Sequence, residues 1–100
     1  MYQFLCEQKK EFVLSKQLLR SGTAVGALVR EAEQAESSAD FIHKMAISLK
    51  EANETEYWIE LLFQSNYIDV TAFNSIKEDL TEILKILISI IKTTKQNSKK

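Results

Sequence analysis

The sequence predicts an all-α protein, a single up-down antiparallel four-helix bundle whose first helix is short or truncated. Three observations support this fold class. The 100 residues include no proline and only two glycines, so the turn residues that a β-rich fold needs are scarce. The stretch from Ser38 to Tyr67 contains neither residue and is long enough for one helix of about eight turns. Apolar residues also recur at helical spacing along most of the chain.

The first predicted helix is the short segment from Met1 to Gln8, MYQFLCEQ. A helix of about two turns is marginal in water unless it docks on other elements. Lys9, Lys10 and Glu11 follow as a predicted polar break. The segment is therefore either the remainder of a longer first helix or a first helix that starts short.

The second predicted helix runs from Phe12 to Ala35, and its middle is rich in small residues. Its apolar stripe consists of Leu14, Leu18, Val25, Val29 and Ala32, with Ser21 and Gly22 on the same side. Glycine inside a helix costs roughly 1 kcal/mol relative to alanine. Gly22 and Gly26 therefore predict a bend or a close approach of another backbone.

The third predicted helix is the central one and carries apolar groups on two sides. Ser37 and Asp40 resemble a capping box at its start, and Asn66 is suited to a left-handed conformation at its end. One stripe consists of Ile42, Met45, Leu49, Ala52, Ile59 and Phe63. Ile47, Trp58 and Leu61 lie nearly opposite, so we predict that these three residues form an interface between subunits of a homo-oligomer.

The fourth predicted helix runs from Val70 to about Lys95, with Asp69 as its N-cap. Its heptad-like core positions are Phe73, Ile76, Leu80, Ile83, Leu84, Leu87 and Ile91. Residues 1–95 thus form one helical-bundle domain, and residues 96–100 form a frayed basic tail. Leu49 and Leu80 are expected in the core.

The composition of the chain limits the classes of partner that the protein is expected to bind. The net charge of −1 gives no global preference for nucleic acid or an anionic membrane. The lone cysteine, Cys6, predicts a reduced thiol in a cytoplasmic protein. No signal peptide is visible, and the most apolar run, from Ile86 to Ile91, is far shorter than the roughly 20 residues of a membrane span.

The residues that could act in catalysis or bind a metal do not predict an enzyme. Asp40 and His43 share a helical face, but a di-iron bundle requires Glu-x-x-His motifs, which the sequence lacks. The central helix has four crowded glutamates, Glu51, Glu54, Glu56 and Glu60, without a histidine partner. We therefore expect no catalytic residues, metal, cofactor or small-molecule substrate.

Two groups of charged residues have predicted roles. If the second and third helices form an antiparallel hairpin, Arg20 lies level with Glu54, and we predict an ion pair between them. Lys9, Lys10, Lys16 and Arg30 are candidate nucleic-acid contacts. The alternative for these cations is an ordinary solvated surface.

The segments from Leu14 to Ala35, LSKQLLRSGTAVGALVREAEQA, and from Phe41 to Trp58, FIHKMAISLKEANETEYW, carry a family resemblance. The chain resembles the bacterial four-helix-bundle proteins encoded in intervening sequences of large-subunit ribosomal RNA genes. A relative of this family is the accessory variability protein of diversity-generating retroelements. Leu28 departs from the pattern, since asparagine is usual there.

The resemblance implies a non-enzymatic protein that assembles into a pentameric ring. It also implies association with RNA or DNA, either with ribosomal RNA or in a reverse-transcriptase complex. Arg20, Glu31 and Glu54 fall at positions that the family pattern marks. The expected function is therefore a self-assembling, nucleic-acid-associated adaptor. The alternative is a structural protein–protein interaction module that binds no nucleic acid.

Overall fold

The computed structural model describes residues 2–98, with side chains from residue 8 to residue 97. The described residues form three α-helices and no β-strand. Helix α1 spans Tyr2–Ala32, helix α2 spans Ser38–Gln64 and helix α3 spans Val70–Ser98.

The prediction of four helices is wrong, because the described part of the chain has three. The predicted first and second helices are one continuous helix, α1. The predicted break at Lys9, Lys10 and Glu11 does not occur, since these residues are good helix formers and no proline or glycine interrupts them. Polar character alone does not end a helix when the segment can lie at a solvent-exposed surface.

Helix α1 ends three residues before the predicted position. Two short backbone bonds close its last turn, from Gln34 N to the Glu31 carbonyl at 3.0 Å and from Ala35 N to the Ala32 carbonyl at 3.0 Å. The capping of α2 agrees with the prediction, because the Asp40 amide donates to Ser37 Oγ at 3.1 Å. The turn between α1 and α2 is therefore short, and the two helices run antiparallel.

The turn between α2 and α3 was also predicted correctly from local sequence. Asn66 adopts the expected left-handed conformation, with a φ of 64°. The Tyr67 amide donates to the Leu62 carbonyl at 2.9 Å and the Asn66 amide to the Phe63 carbonyl at 3.0 Å, which is the Schellman pattern. Asp69 Oδ1 then accepts from the Ala72 amide at 2.7 Å and caps α3. Helix α3 continues to Ser98, beyond the predicted end near Lys95.

Helix α2 lies in the centre, as the sequence predicted. Both α1 and α3 pack against it, but among the described residues no Cα atom of α1 lies within 8 Å of one of α3. The molecule is therefore long and thin, with extents of 63 × 23 × 15 Å.

The core follows the faces by which α1 and α3 contact α2. The buried apolar residues are Leu14, Ala32, Met45, Ala52, Ile59, Leu62, Leu80 and Leu87. Leu80 is buried as predicted, and Leu49 is half-buried against the same cluster. Ile76 and Ile83 were predicted as core but remain 38% and 40% exposed. They lie on a side of α3 that no other described helix covers.

Candidate functional site

The α1–α2 interface contains a row of hydrogen-bonded hydroxyl groups. Ser21, Ser48 and Thr55 are all buried. Thr55 Oγ1 lies 2.8 Å from the Glu51 carbonyl, to which it can donate, and 2.9 Å from Ser21 Oγ, with which it shares a second hydrogen bond. Ser48 Oγ donates to the Val25 carbonyl of α1 at 3.1 Å. These bonds, together with the small side chains that make them, hold the two helices in one register.

The sequence analysis did not identify Ser48 and Thr55 as interface residues. The sequence did contain a pattern that could have predicted their burial. Both residues lie within one helical turn of Ala52, a member of the predicted apolar stripe that is completely buried. A small polar residue beside an apolar stripe can equally be solvent-exposed, and only the position of α1 decides between these states.

The structure brings the predicted partners Arg20 and Glu54 together beside this row. Arg20 Nη2 donates to Glu54 Oε1, while Nη1 lies 3.4 Å from Glu51 Oε2. Arg20 Nε donates to Gln17 Oε1 at 3.0 Å. The guanidinium therefore bridges two glutamates of α2 instead of forming a two-pronged pair with one of them.

Trp58 joins Arg20, Glu51 and Glu54 in a cluster of contacting side chains, which we term the Arg20 cluster. Its indole Nε1–H donates to Glu54 Oε1 at 3.1 Å, and this bond is the main cause that lowers the pKa of Glu54, with the Arg20 bond second. The bond to Glu54 correspondingly raises the pKa of Arg20. The Arg20 and Glu54 side chains remain 48% and 33% exposed, so water screens their attraction. The cluster therefore orients side chains more than it stabilises the fold.

The three residues of the predicted subunit interface, which we term the Trp58 surface, are Ile47, Trp58 and Leu61. Each is half-buried within the single chain. The neighbouring Tyr57 packs edge-to-face on Trp58, with 5.0 Å between ring centroids, and is 55% exposed. The prediction that both sides of α2 carry apolar groups is correct, although less of this side is exposed than the sequence suggested.

The candidate nucleic-acid contacts Lys9, Lys10, Lys16 and Arg30 are all exposed. At 100° per residue, Lys9, Lys16 and Arg30 share the outer face of α1, whereas Lys10 points elsewhere. Within the described part of the chain, none of these cations forms an ion pair. The outer face of α1 also carries Phe12 and Leu19, which with Ser15 and Lys16 line a shallow hollow.

An apolar groove with a volume of about 220 Å³ lies between α1 and α3. Its floor is formed by Thr55 and Ile59 of α2. Its walls are Gly22 and Val25 from α1 and Ile76, Asp79, Leu80 and Ile83 from α3. The groove could not be predicted from the sequence, because it depends on where three helices lie. One sequence feature could have predicted an uncovered apolar surface there: the apolar arc of α3 is broader than one partner helix can cover.

The remaining acidic residues have structural partners. Glu60 Oε1 accepts from Lys77 Nζ at 2.5 Å, which raises the pKa of Lys77, and Glu31 lies 3.4 Å from Lys44. His43 is exposed. No group of three or more metal-ligating side chains occurs among residues 2–98. Over the same range, no helix is apolar enough along its length to cross a bilayer.

Comparison with known proteins assigns the family. A sequence model of the 23S rRNA-intervening sequence protein family matches residues 1–89, which is most of the chain. The chain belongs to this family. The chain also resembles a crystal structure from Bacteroides thetaiotaomicron, described as a protein of unknown function from the S23 ribosomal protein family. The two are 64% identical with a TM-score of 0.81, over 91% of this chain and 84% of the other. No curated protein matched.

Proposed function

We propose that this 23S rRNA-intervening sequence protein is a non-enzymatic, self-assembling helical module of the bacterial cytoplasm. The observation that carries the proposal is the surface that one copy leaves exposed, 7257 Å². A compact monomer of 11.5 kDa is expected to expose about 5,800 Å². The excess is about 1,450 Å², more than the roughly 800 Å² that each partner contributes to a standard interface.

The roles of the glutamates support a non-enzymatic function. Glu51 and Glu54 both contact Arg20, and Glu60 contacts Lys77. Each carboxylate thus serves an ion pair between helices instead of facing a cavity with a proton-transfer partner. The proposed cytoplasmic location suits the lone cysteine, which remains reduced there.

Self-assembly is tested first on the unmodified protein. Light scattering at tens of micromolar should give a mass of several chains, with a ring of five as the family-based expectation. A monomer at these concentrations would contradict the proposal. The same measurement on Trp58→Glu tests the Trp58 surface, since an unpaired carboxylate buried there opposes assembly. Asn53→Glu is the matched control, because Asn53 is exposed on the same helix and lies about 140° around it from Trp58.

Association with RNA is the second candidate function, favoured by the unpaired cations of α1. Lys9, Lys16 and Arg30 extend along one face over about 31 Å, long enough to contact several phosphates. In a symmetric assembly this row is repeated, which adds to its field despite the net charge of −1.

Filter binding to a structured RNA across a range of salt concentrations tests this candidate. Replacing Lys16 and Arg30 by glutamine should reduce the slope of log affinity against log salt by about two, if each contacts one phosphate. Lys85→Gln together with Lys50→Gln removes the same charge from α3 and α2 and serves as the control. RNA binding that is weak even at low salt would contradict this candidate, and so would equal binding by the two double variants. Either result would favour the alternative function, a structural protein–protein interaction module that binds no nucleic acid.

A further inference from the structure

We propose that Arg20 and Glu54 are positioning residues for the Trp58 surface, and that they fix the indole ring of Trp58 for contact with a neighbouring subunit. The inference rests on the proposed self-assembly and identifies residues that act on this surface from inside one chain. Glu54 acts on the indole directly, and Arg20 acts through Glu54. The Trp58 surface therefore depends on α1 as well as on α2, although α2 alone carries its residues.

One carboxylate oxygen holds both partners. Glu54 Oε1 accepts a hydrogen bond from Trp58 Nε1–H at 3.1 Å and another from Arg20 Nη2. Trp58 follows Glu54 by one helical turn, and side chains of a helix lean toward its N-terminus, so the indole reaches back to the carboxylate. Arg20 reaches the same oxygen from α1. The acceptor of the indole N–H is thus held by a second helix, which restricts the rotamers open to both side chains.

Arg20 is itself fixed by contacts on three sides of its guanidinium. Nε donates to Gln17 Oε1 at 3.0 Å, and Nη1 lies 3.4 Å from Glu51 Oε2. Because the guanidinium is planar and its donors have fixed directions, contacts at Nε, Nη1 and Nη2 together define its orientation. Arg20 and Glu54 are partly exposed, so their ion pair adds little to the stability of the fold. Its main consequence is the orientation of the indole.

The backbone at this level is aligned by an independent interaction. Ser21 and Thr55, which follow Arg20 and Glu54 in the sequence, are buried and share a hydrogen bond of 2.9 Å. A displacement of α1 along α2 would break this bond and leave buried hydroxyl groups without partners. The packing of the two helices therefore sets the distance between Arg20 and Glu54.

The fixed indole has two consequences for association. Its N–H is the one polar group of the ring and is satisfied within the chain, so an apolar surface of the neighbouring subunit needs no acceptor there. A ring that is fixed before association also avoids the entropy cost of ordering a side chain in an interface, which corresponds to about 2- to 13-fold in affinity. Tyr57, packed edge-to-face on the indole, restricts the ring further.

Trp58 is the only tryptophan of the chain, so its fluorescence reports the motion of this ring alone. The first measurement is time-resolved fluorescence anisotropy of the full chain, diluted until it is dissociated. Arg20→Gln should increase the amplitude of fast ring motion, because Glu54 loses the contact that holds it. Lys44→Gln is the matched control, since it removes the charge of another α1–α2 ion pair, the one with Glu31, and should leave the anisotropy unchanged. Circular dichroism should show the same helix content in both variants.

The second measurement is the dissociation constant of the assembly, obtained by sedimentation equilibrium. Arg20→Gln should raise this constant about 3- to 10-fold, since the indole must then be ordered on association, whereas Lys44→Gln should leave it unchanged. The effect of Arg20 passes through the indole N–H, so it should disappear in a Trp58→Phe background, where that group is absent. An equal effect of Arg20→Gln in both backgrounds would overturn the inference.

These results distinguish the positioning role from the proposed function. A wild type that is monomeric at tens of micromolar would overturn both. If the wild type assembles but Arg20→Gln and Lys44→Gln are alike in ring motion and in dissociation constant, the positioning role is wrong and self-assembly stands. A dissociation constant that rises without increased ring motion would also contradict the positioning role, since Arg20 would then contact the neighbouring subunit itself.

Discussion

The two interfaces of α2 are built from different chemistry. Toward α1, α2 presents buried hydroxyl groups and a glutamate pair that holds Arg20. Toward α3, it presents mainly apolar groups, and Phe63 stacks on Phe73 with 4.2 Å between ring centroids. Between the described residues of these two helices, one ion pair, Lys77 with Glu60, lies beside that stack.

This difference indicates how register and stability are divided between the interfaces. Hydrogen bonds such as Ser48 to the Val25 carbonyl are directional, so a displacement of α1 along α2 leaves buried donors without acceptors. The apolar α2–α3 interface has no such penalty, and its stability depends on the area and shape of packed side chains. Both interfaces bury apolar residues, but only the α1–α2 interface adds a row of buried hydrogen bonds that specifies the alignment of its helices.

The largest expected effect is in the apolar interface. Leu80 is 6% exposed, and its replacement by alanine should lower the free energy of unfolding by about 2–5 kcal/mol. Urea titration of Leu80→Ala measures the loss, with Ile83→Ala as the control because Ile83 lines the open groove. Equal losses in the two variants would mean that α3 is rotated relative to the arrangement described here. Leu49→Ala should fall between them, since Leu49 is half-buried.

A smaller effect is expected in the polar interface. Thr55→Val keeps the shape of the side chain and removes the bond to Ser21, which should cost about 1–3 kcal/mol. Thr81→Val is the matched control, because Thr81 Oγ1 donates only to the Lys77 carbonyl of its own helix. A double-mutant cycle with Ser21→Ala should show coupling between the two hydroxyl groups. If the losses in unfolding free energy of the two single variants simply add in the double variant, the two hydroxyl groups are not energetically coupled.

The smallest effect is expected at the exposed Arg20 cluster, and it should depend on pH. The pKa of Glu54 is lower in the folded chain than in the unfolded chain, where a glutamate titrates at about 4.3. Its contribution to stability is therefore complete above the unfolded pKa and lost as the pH falls through the folded pKa. Unfolding measured from pH 7 to pH 3 should be less acid-sensitive in Glu54→Gln than in the wild type.

The control for this comparison is Glu82→Gln, on the outer face of α3. It should follow the wild-type pH profile in the acid range. Added salt should reduce the difference between the wild type and Glu54→Gln, because the Arg20 and Glu54 side chains are partly solvated. A difference that persists in high salt would indicate that the Trp58 hydrogen bond carries most of the effect.

Local sequence determined the helical class, the caps and the turns of this protein. Ser37, Asn66 and Asp69 were predicted in their roles because caps and turns depend on a few neighbouring atoms. The central position of α2 and the pairing of Arg20 with Glu54 also followed from periodicity and from the antiparallel hairpin. Each of these inferences needs at most two neighbouring helices and the turn between them.

Tertiary structure alone decided the number of helices and the surfaces that stay open. Lys9 to Glu11 continue helix α1, although their polar character had suggested a break between two helices. Ser48 and Thr55 are buried because α1 lies over them. Ile76 and Ile83 have the spacing of core residues, and they line a groove because no described helix lies between α1 and α3. Periodicity states which face of a helix is apolar, whereas the partner that covers it depends on the arrangement of all the helices.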